Sequence, residues 1–133
     1  MNIFQKLNEL NFPLGQYVLM GSCPLAARNL REAQDLDISV TNALWQKLLD
    51  SGDYIIVEKY DRQFLTDKET GLVDINKQLD WAKYATTTEE AIASADIING
   101  FPFLNITETI KFKTALGREK DFKDIELLEK YLS

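Results

Sequence analysis

The sequence contains no histidine and a single cysteine, Cys23. Without histidine there is no Ser-His-Asp triad, no Cys-His pair and no imidazole metal ligand, and one thiol cannot close an internal disulfide. No apolar run approaches the roughly 18 residues of a membrane span. The N-terminal MNIFQKLNEL also lacks the apolar core of a signal peptide, so the expectation is a cytoplasmic protein with no membrane partner. Three prolines and six glycines are too few and too scattered to build a linker. With no low-complexity tract and no repeat, residues 1–133 are expected to form one domain. Chemistry in such a chain must rest on carboxylates, Lys, Arg, hydroxyls, Cys23 or the backbone.

With 45% hydrophobic and 27% charged residues, the composition is that of an ordinary globular protein. The net charge of −6 is unevenly spread. Residues 1–34 carry three basic and two acidic groups, residues 35–110 six and fourteen, and residues 111–133 six and five. An acidic chain binds nucleic acid poorly without a basic surface to release phosphate counterions. A concentration of carboxylates in the middle suits divalent cations better.

The pattern predicts a mixture of helices and strands. Phe4, Leu7 and Leu10 share one face of a helix over 3–10, and QYVLM over 16–20 reads as a buried strand. Gly21-Ser22 turns the chain, and Pro24 favours the first turn of a short helix over 25–30. In Asp35-Leu36-Asp37-Ile38-Ser39-Val40 polar and apolar residues alternate with the period of a strand. Thr41 caps a helix that Gly52 stops. Further strands are expected at 54–60, in a hairpin of 64–66 with 72–76 around DKETG, and at 96–98, with a short helix at 87–95. Closing helices at 107–116 and 121–132 meet at Gly117. The fold class is α+β, a short mixed sheet flanked by helices, in preference to a barrel.

The strongest chemical feature is the pair Asp35 and Asp37. On a strand, residues i and i+2 point the same way roughly 7 Å apart, which lets two carboxylates converge on a divalent cation. Like charges held together in this way raise a carboxylate pKa unless a cation or basic partner is present. A solvent-facing strand displaying Asp-Leu-Asp explains the pair alone about as well. The Gly21-Ser22 turn, between an apolar strand and a helix start, offers backbone N–H groups to a phosphate, although an isolated Gly-Ser is more often an ordinary turn. Arg28 and Arg31 lie between these features and either neutralise Asp35 and Asp37, touch a ligand, or are surface charge. Cys23 sits at a helix start, which would lower its pKa, but no base accompanies it, and packing is the simpler role. Trp45 and Trp81 belong to the core or its edge, or else stack on a base.

The run VLMGSCPLAARNLREAQDLDISV resembles the signature of the nucleotidyltransferase superfamily with the polymerase-β-like catalytic fold: an apolar strand, Gly-Ser, a spacer and Asp-apolar-Asp-apolar. That family takes a third carboxylate from a later strand. Asp74 in Leu72-Val73-Asp74-Ile75-Asn76 fits, in preference to Glu58 in YIIVEKY. Residues 106–113 with Gly117-Arg118-Glu119-Lys120-Asp121-Phe122-Lys123-Asp124-Ile125 are similar to the Arg-x-Lys-Asp-x-x-Asp-Ile segment of small bacterial nucleotidyltransferases. Those include the AbiE-type toxins and the aminoglycoside and lincosamide nucleotidyltransferases. The resemblance spans 16–40, 71–76 and 106–128.

It implies a nucleotidyltransferase dependent on Mg²⁺ or Mn²⁺, with Asp35, Asp37 and Asp74 as catalytic metal ligands. Gly21 and Ser22 would hold the NTP phosphates, with Arg118 and Lys120 as further phosphate ligands. Solvated charges paired with Glu119, Asp121 and Asp124 explain Arg118 and Lys120 about as well. The acceptor is left open between a small molecule, RNA and protein. The alternative is a non-catalytic or regulatory protein of the same fold acting through a partner, such as a toxin–antitoxin component. A phosphatase of the haloacid dehalogenase type ranks lower, because the polar Arg31-Glu32-Ala33-Gln34 precedes Asp35. Phe101-Pro102-Phe103-Leu104 is taken as core; exposed, it would be the contact of a homodimer or of a partner protein.

Overall fold

The computed structural model describes residues 2–133. Among these, α1 (Ile3–Leu10) leads into β1 (Tyr17–Met20), α2 (Cys23–Ala26), β2 (Leu36–Val40), α3 (Asn42–Ser51), β3 (Tyr54–Lys59), β4 (Arg62–Asp67) and β5 (Val73–Asn76). The chain continues through α4 (Thr88–Ala93), β6 (Asp96–Ile98), β7 (Phe101–Phe103), α5 (Ile106–Leu116) and α6 (Glu119–Leu132). The strands form one mixed sheet in the order β3-β4-β5-β2-β1-β7-β6. β1 runs antiparallel to β2, β2 is parallel to β5, and β1 is parallel to β7. The expected α+β architecture is present, on a sheet of seven strands.

Strand alternation divides the sheet's side chains between two layers. Leu19, Leu36, Ile38, Val40, Leu65, Val73 and Ile75 pack with α1 and α3 through Ile3, Leu7, Leu44, Trp45 and Leu48. Val18 and Met20 point the other way, against Leu79, Tyr84, Ala91, Leu104, Phe112 and Ala115 from α4, α5 and their flanking loops. Asp37 and Ser39 alternate with Leu36, Ile38 and Val40, so they share this second face. There Ser39 Oγ donates to Asn76 Oδ1 at 2.6 Å and lies 2.9 Å from Thr88 Oγ1, which fixes β2, β5 and α4 to one another.

Several boundaries depart from expectation for local reasons. The helix expected over 25–30 is one turn only, ending before Asn29, whose φ of +59° takes the chain out of the helical region. The hairpin around DKETG forms, with the Asp67 carboxylate accepting the Thr70 and Val73 N–H groups. A second hairpin precedes it, β3 on β4, turning at Tyr60-Asp61. β7 was not expected, since Pro102 lacks a ladder donor. It nevertheless bridges β1 and β6, with Phe103 and Leu104 fully buried. That places the Phe101–Leu104 run in the core and removes it as an exposed contact patch. No helix of the described residues is long and apolar enough to cross a membrane.

Candidate active site

Met20, the last residue of β1, is the Cα partner of Asp37, and Asp37 is in turn the Cα partner of Asp74 on β5. The two carboxylates therefore stand on one sheet face, at the starts of parallel strands, next to the Gly21 turn at the end of β1. Asp35 precedes β2, is exposed, and lines the same cleft. Glu58, the alternative third carboxylate, is exposed opposite Gln63 on the far hairpin and does not line it.

The cleft has a volume of about 910 Å³. Its floor holds Met20, Gly21, Ser22, Asp35, Asp37, Asp74 and Asn76, one wall comes from the β3–β4 hairpin with Trp81, and the other from α5 and α6. Seven basic and five acidic side chains line it, in a chain that has fifteen and twenty-one. Cations are thus concentrated in the cleft of an otherwise acidic protein.

Gly21 leaves open the space that a side chain would take from Asp37. Its φ is +65°, and a Cβ there would stand 2.3 Å from Asp37 Oδ2. Ser22 is buried at the start of α2, and its hydroxyl makes no capping hydrogen bond. Burial, followed by the neighbouring charges of Asp35 and Asp74, pushes the Asp37 carboxyl up to about 7, against the weaker opposing pull of Lys59 and Lys113. Asp74 Oδ2 accepts from Lys59 Nζ at 2.7 Å, while Asp74 Oδ1 is buried without a partner. As the side chains stand, no group of three acidic or thiol residues among those described is gathered tightly enough to hold a metal ion.

The cationic wall is built from a chain of ion pairs. Lys113, 4% exposed on α5, sits 2.9 Å from Asp124 and 3.8 Å from Asp121. Arg31 grips Asp124 through two hydrogen bonds of 2.7 and 2.8 Å, and Arg118 does the same to Asp121 at 2.7 and 3.1 Å. Arg118 is thus both a cleft residue and a partner of Asp121, while Lys120 lines the cleft exposed and without an ion pair among the described residues. Arg31 neutralises Asp124 rather than Asp35 or Asp37. Arg28 is outside the cleft, paired with Asp96 at 2.7 Å. Cys23 is fully buried, and burial pushes its thiol up to about 12 instead of lowering it, so the short helix start does not activate it. Trp45 is core, whereas Trp81 stands 36% exposed at the cleft.

Lys113 and the hairpin wall had no expected role. Thr109 and Lys113 are the buried residues of α5, spaced i and i+4, and a lysine in such a stripe facing an Asp-x-x-Asp on the next helix is a usable signal.

This is the fold of nucleotidyltransferases. The chain is similar to the lincosamide antibiotic adenylyltransferase LnuA in its lincomycin-bound form, at 19% identity and a TM-score of 0.60, covering 96% of this chain and 92% of that one. It is also similar to ANT(2")-Ia in complex with adenylyl-2"-tobramycin, at 17% identity and a TM-score of 0.57, covering 98% and 86%. No protein-family model and no curated protein matches the chain.

Proposed function

We propose that the protein transfers a nucleoside monophosphate from an NTP to an acceptor hydroxyl, using a divalent cation. The observation that carries this reading is the register of Asp37 on Asp74, beside a glycine whose missing Cβ leaves room at Asp37 Oδ2. The shared fold with a lincosamide adenylyltransferase supports it.

The donor set suits Mg²⁺ or Mn²⁺. Hard carboxylate oxygens from Asp35, Asp37 and Asp74 line one cleft, burial and then their mutual repulsion raise the Asp37 pKa, and the buried Asp74 Oδ1 lacks any partner. Asp35, Asp37 and Asp74 would hold the cation, which screens the triphosphate and lowers the pKa of the acceptor hydroxyl when bound. The Gly21 turn and the Ser22 hydroxyl bind phosphate oxygens, and Arg118 and Lys120 on the opposite wall neutralise them. The acceptor oxygen forms a bond to the α-phosphorus as the bond to pyrophosphate breaks, and pyrophosphate leaves with that electron pair. The hydroxyl proton passes to Asp74 Oδ1.

The test is incubation with each α-labelled NTP, Mg²⁺ and, separately, total cell RNA, protein and metabolites. Label should move to one of the three fractions and pyrophosphate should accumulate. Absence of both with every NTP contradicts the reading.

A further inference from the structure

Four arginines occur in the chain, and three are locked to carboxylates: Arg28 to Asp96, Arg31 to Asp124 and Arg118 to Asp121. Arg62 alone has no carboxylate within ion-pair distance among the described residues. Its guanidinium lies 5.2 Å from the Phe64 ring centre and 5.3 Å from that of Trp81, and it donates to the Gln78 carbonyl. Tyr60 stands beside it, 64% exposed, with its ring 5.8 Å from Trp81. Two large rings and an unpaired cation thus face one cleft.

The backbone is arranged to present them. Tyr60 and Asp61 form the turn of the β3–β4 hairpin with φ of +54° and +58°, a left-handed pair that costs non-glycine residues on the order of 1 kcal/mol each. A turn made only to join two strands favours Asn-Gly or Asp-Gly there. The register of β4 on β5 pairs Thr66 with Asp74, so Phe64 and Arg62, two and four residues back, share the Asp74 face. The wall therefore continues outward from Asp74, away from Gly21 and Ser22 at the end of β1.

We propose that Tyr60, Trp81 and Arg62 form the acceptor subsite, and that it takes a ring-bearing anionic alcohol of the nucleoside monophosphate kind. This deepens the nucleotidyl-transfer reading and rests on it. The ring packs against Tyr60 and Trp81, the anion pairs with Arg62, and the hydroxyl lies at Asp74. The transfer balances as above: the acceptor oxygen replaces pyrophosphate on the α-phosphorus and its proton goes to Asp74 Oδ1. A polycationic acceptor is disfavoured, since it meets Arg62 and Lys59 on this wall.

The two indole N–H signals of the wild-type protein report the outcome by NMR, with buried Trp45 as the internal control. Adenosine 5′-monophosphate should move the Trp81 signal and leave Trp45 fixed, including on protein saturated with Mg²⁺ and α,β-methylene-ATP. Adenosine should bind about fivefold more weakly or worse, and Tyr60→Ala and Arg62→Met should each weaken the monophosphate by about fivefold or more, the size of one stacking or ionic contact. An unshifted Trp45 signal shows that each variant is folded. The proposal is overturned by tighter binding of glucosamine than of the monophosphate, by equal binding of adenosine, or by a Trp81 shift that the ATP analogue abolishes. Failure of the α,β-methylene analogue of every NTP to bind with Mg²⁺ counts against nucleotidyl transfer itself. On analogue-loaded protein, a monophosphate that leaves Trp81 unmoved at millimolar concentration counts against the acceptor wall alone.

Discussion

Lys59 Nζ donates to Asp74 Oδ2 at 2.7 Å while the buried Asp74 Oδ1 accepts nothing. An ammonium thus competes with the proposed cation for the same carboxylate. Lys59→Met should tighten Mn²⁺ binding several-fold and lower the metal-free Tm, because it removes the competitor and leaves Asp74 without a counter-charge. Titration of free Mn²⁺ by electron paramagnetic resonance reads the first effect. Weaker Mn²⁺ binding in the variant would mean that Lys59 supports the cation site.

Asp37→Asn removes one of the like charges crowded in the cleft. In the metal-free protein at pH 8, where Asp37 is ionised, the Tm should rise by about 3–8 °C. Asp37 has a raised folded pKa, so its contribution to stability is fully present below the unfolded value, near 3.9, and is lost as pH rises through about 7. The gain from the substitution should therefore shrink below neutral pH. A fall in Tm at pH 8 would make Asp37 a structural residue.

Much of this site is local in sequence, and that part was legible. Asp35-Leu36-Asp37-Ile38 reveals its strand through alternation within six residues, and Val73-Asp74-Ile75 repeats the signal. The pairing of Asp37 with Asp74 depends on β2 lying parallel to β5, which no local pattern states. The Arg31–Asp124 pair joins residues 93 positions apart, so the sequence left Arg31 open between Asp35 and Asp37, a ligand and the surface, and did not point to Asp124. Phe101–Phe103 hid its strand because Pro102 is a poor ladder residue, and tertiary packing against β1 overrode that preference. The resemblance in the Arg118–Asp124 segment identified residues that face the cleft. It did not reveal Lys113, whose carboxylate partners lie on the following helix.

Lys113→Met should be the most destabilising of these substitutions. It leaves Asp121 and Asp124, 1% and 4% exposed, without the ammonium between them, a loss of roughly 3–5 kcal/mol by urea denaturation. A loss below about 1 kcal/mol would show that Arg31 and Arg118 suffice.

The same network sets an acid limit. Burial pushes Asp124 up, but the hydrogen bonds from Arg31 and Lys113 outweigh it and hold its pKa below the usual carboxylate range. A depressed folded pKa contributes stability above the unfolded value and loses it as pH falls through the folded one. The stability gap between wild type and Asp124→Asn, measured in urea, should hold from pH 7 to about 5 and close below pH 4. A gap constant down to pH 2 would show that the Asp124 charge is not its source.

Gly21→Ala probes the floor of the cleft. The added Cβ would collide with Asp37 Oδ2 at 2.3 Å, in a backbone conformation that alanine disfavours by about 1 kcal/mol. The variant should fold, lose about 1–3 kcal/mol in urea, and lose transfer activity. Full activity in a folded variant would separate the Gly21 turn from the chemistry.

Calorimetric titration of each NTP into the wild-type protein, with and without Mg²⁺, tests the central claim most directly. Three carboxylates on the floor repel an unscreened triphosphate, so one NTP at least should bind far more tightly with the cation than without it. Equal affinity in both conditions, or no binding of any NTP at millimolar concentration, would contradict the account.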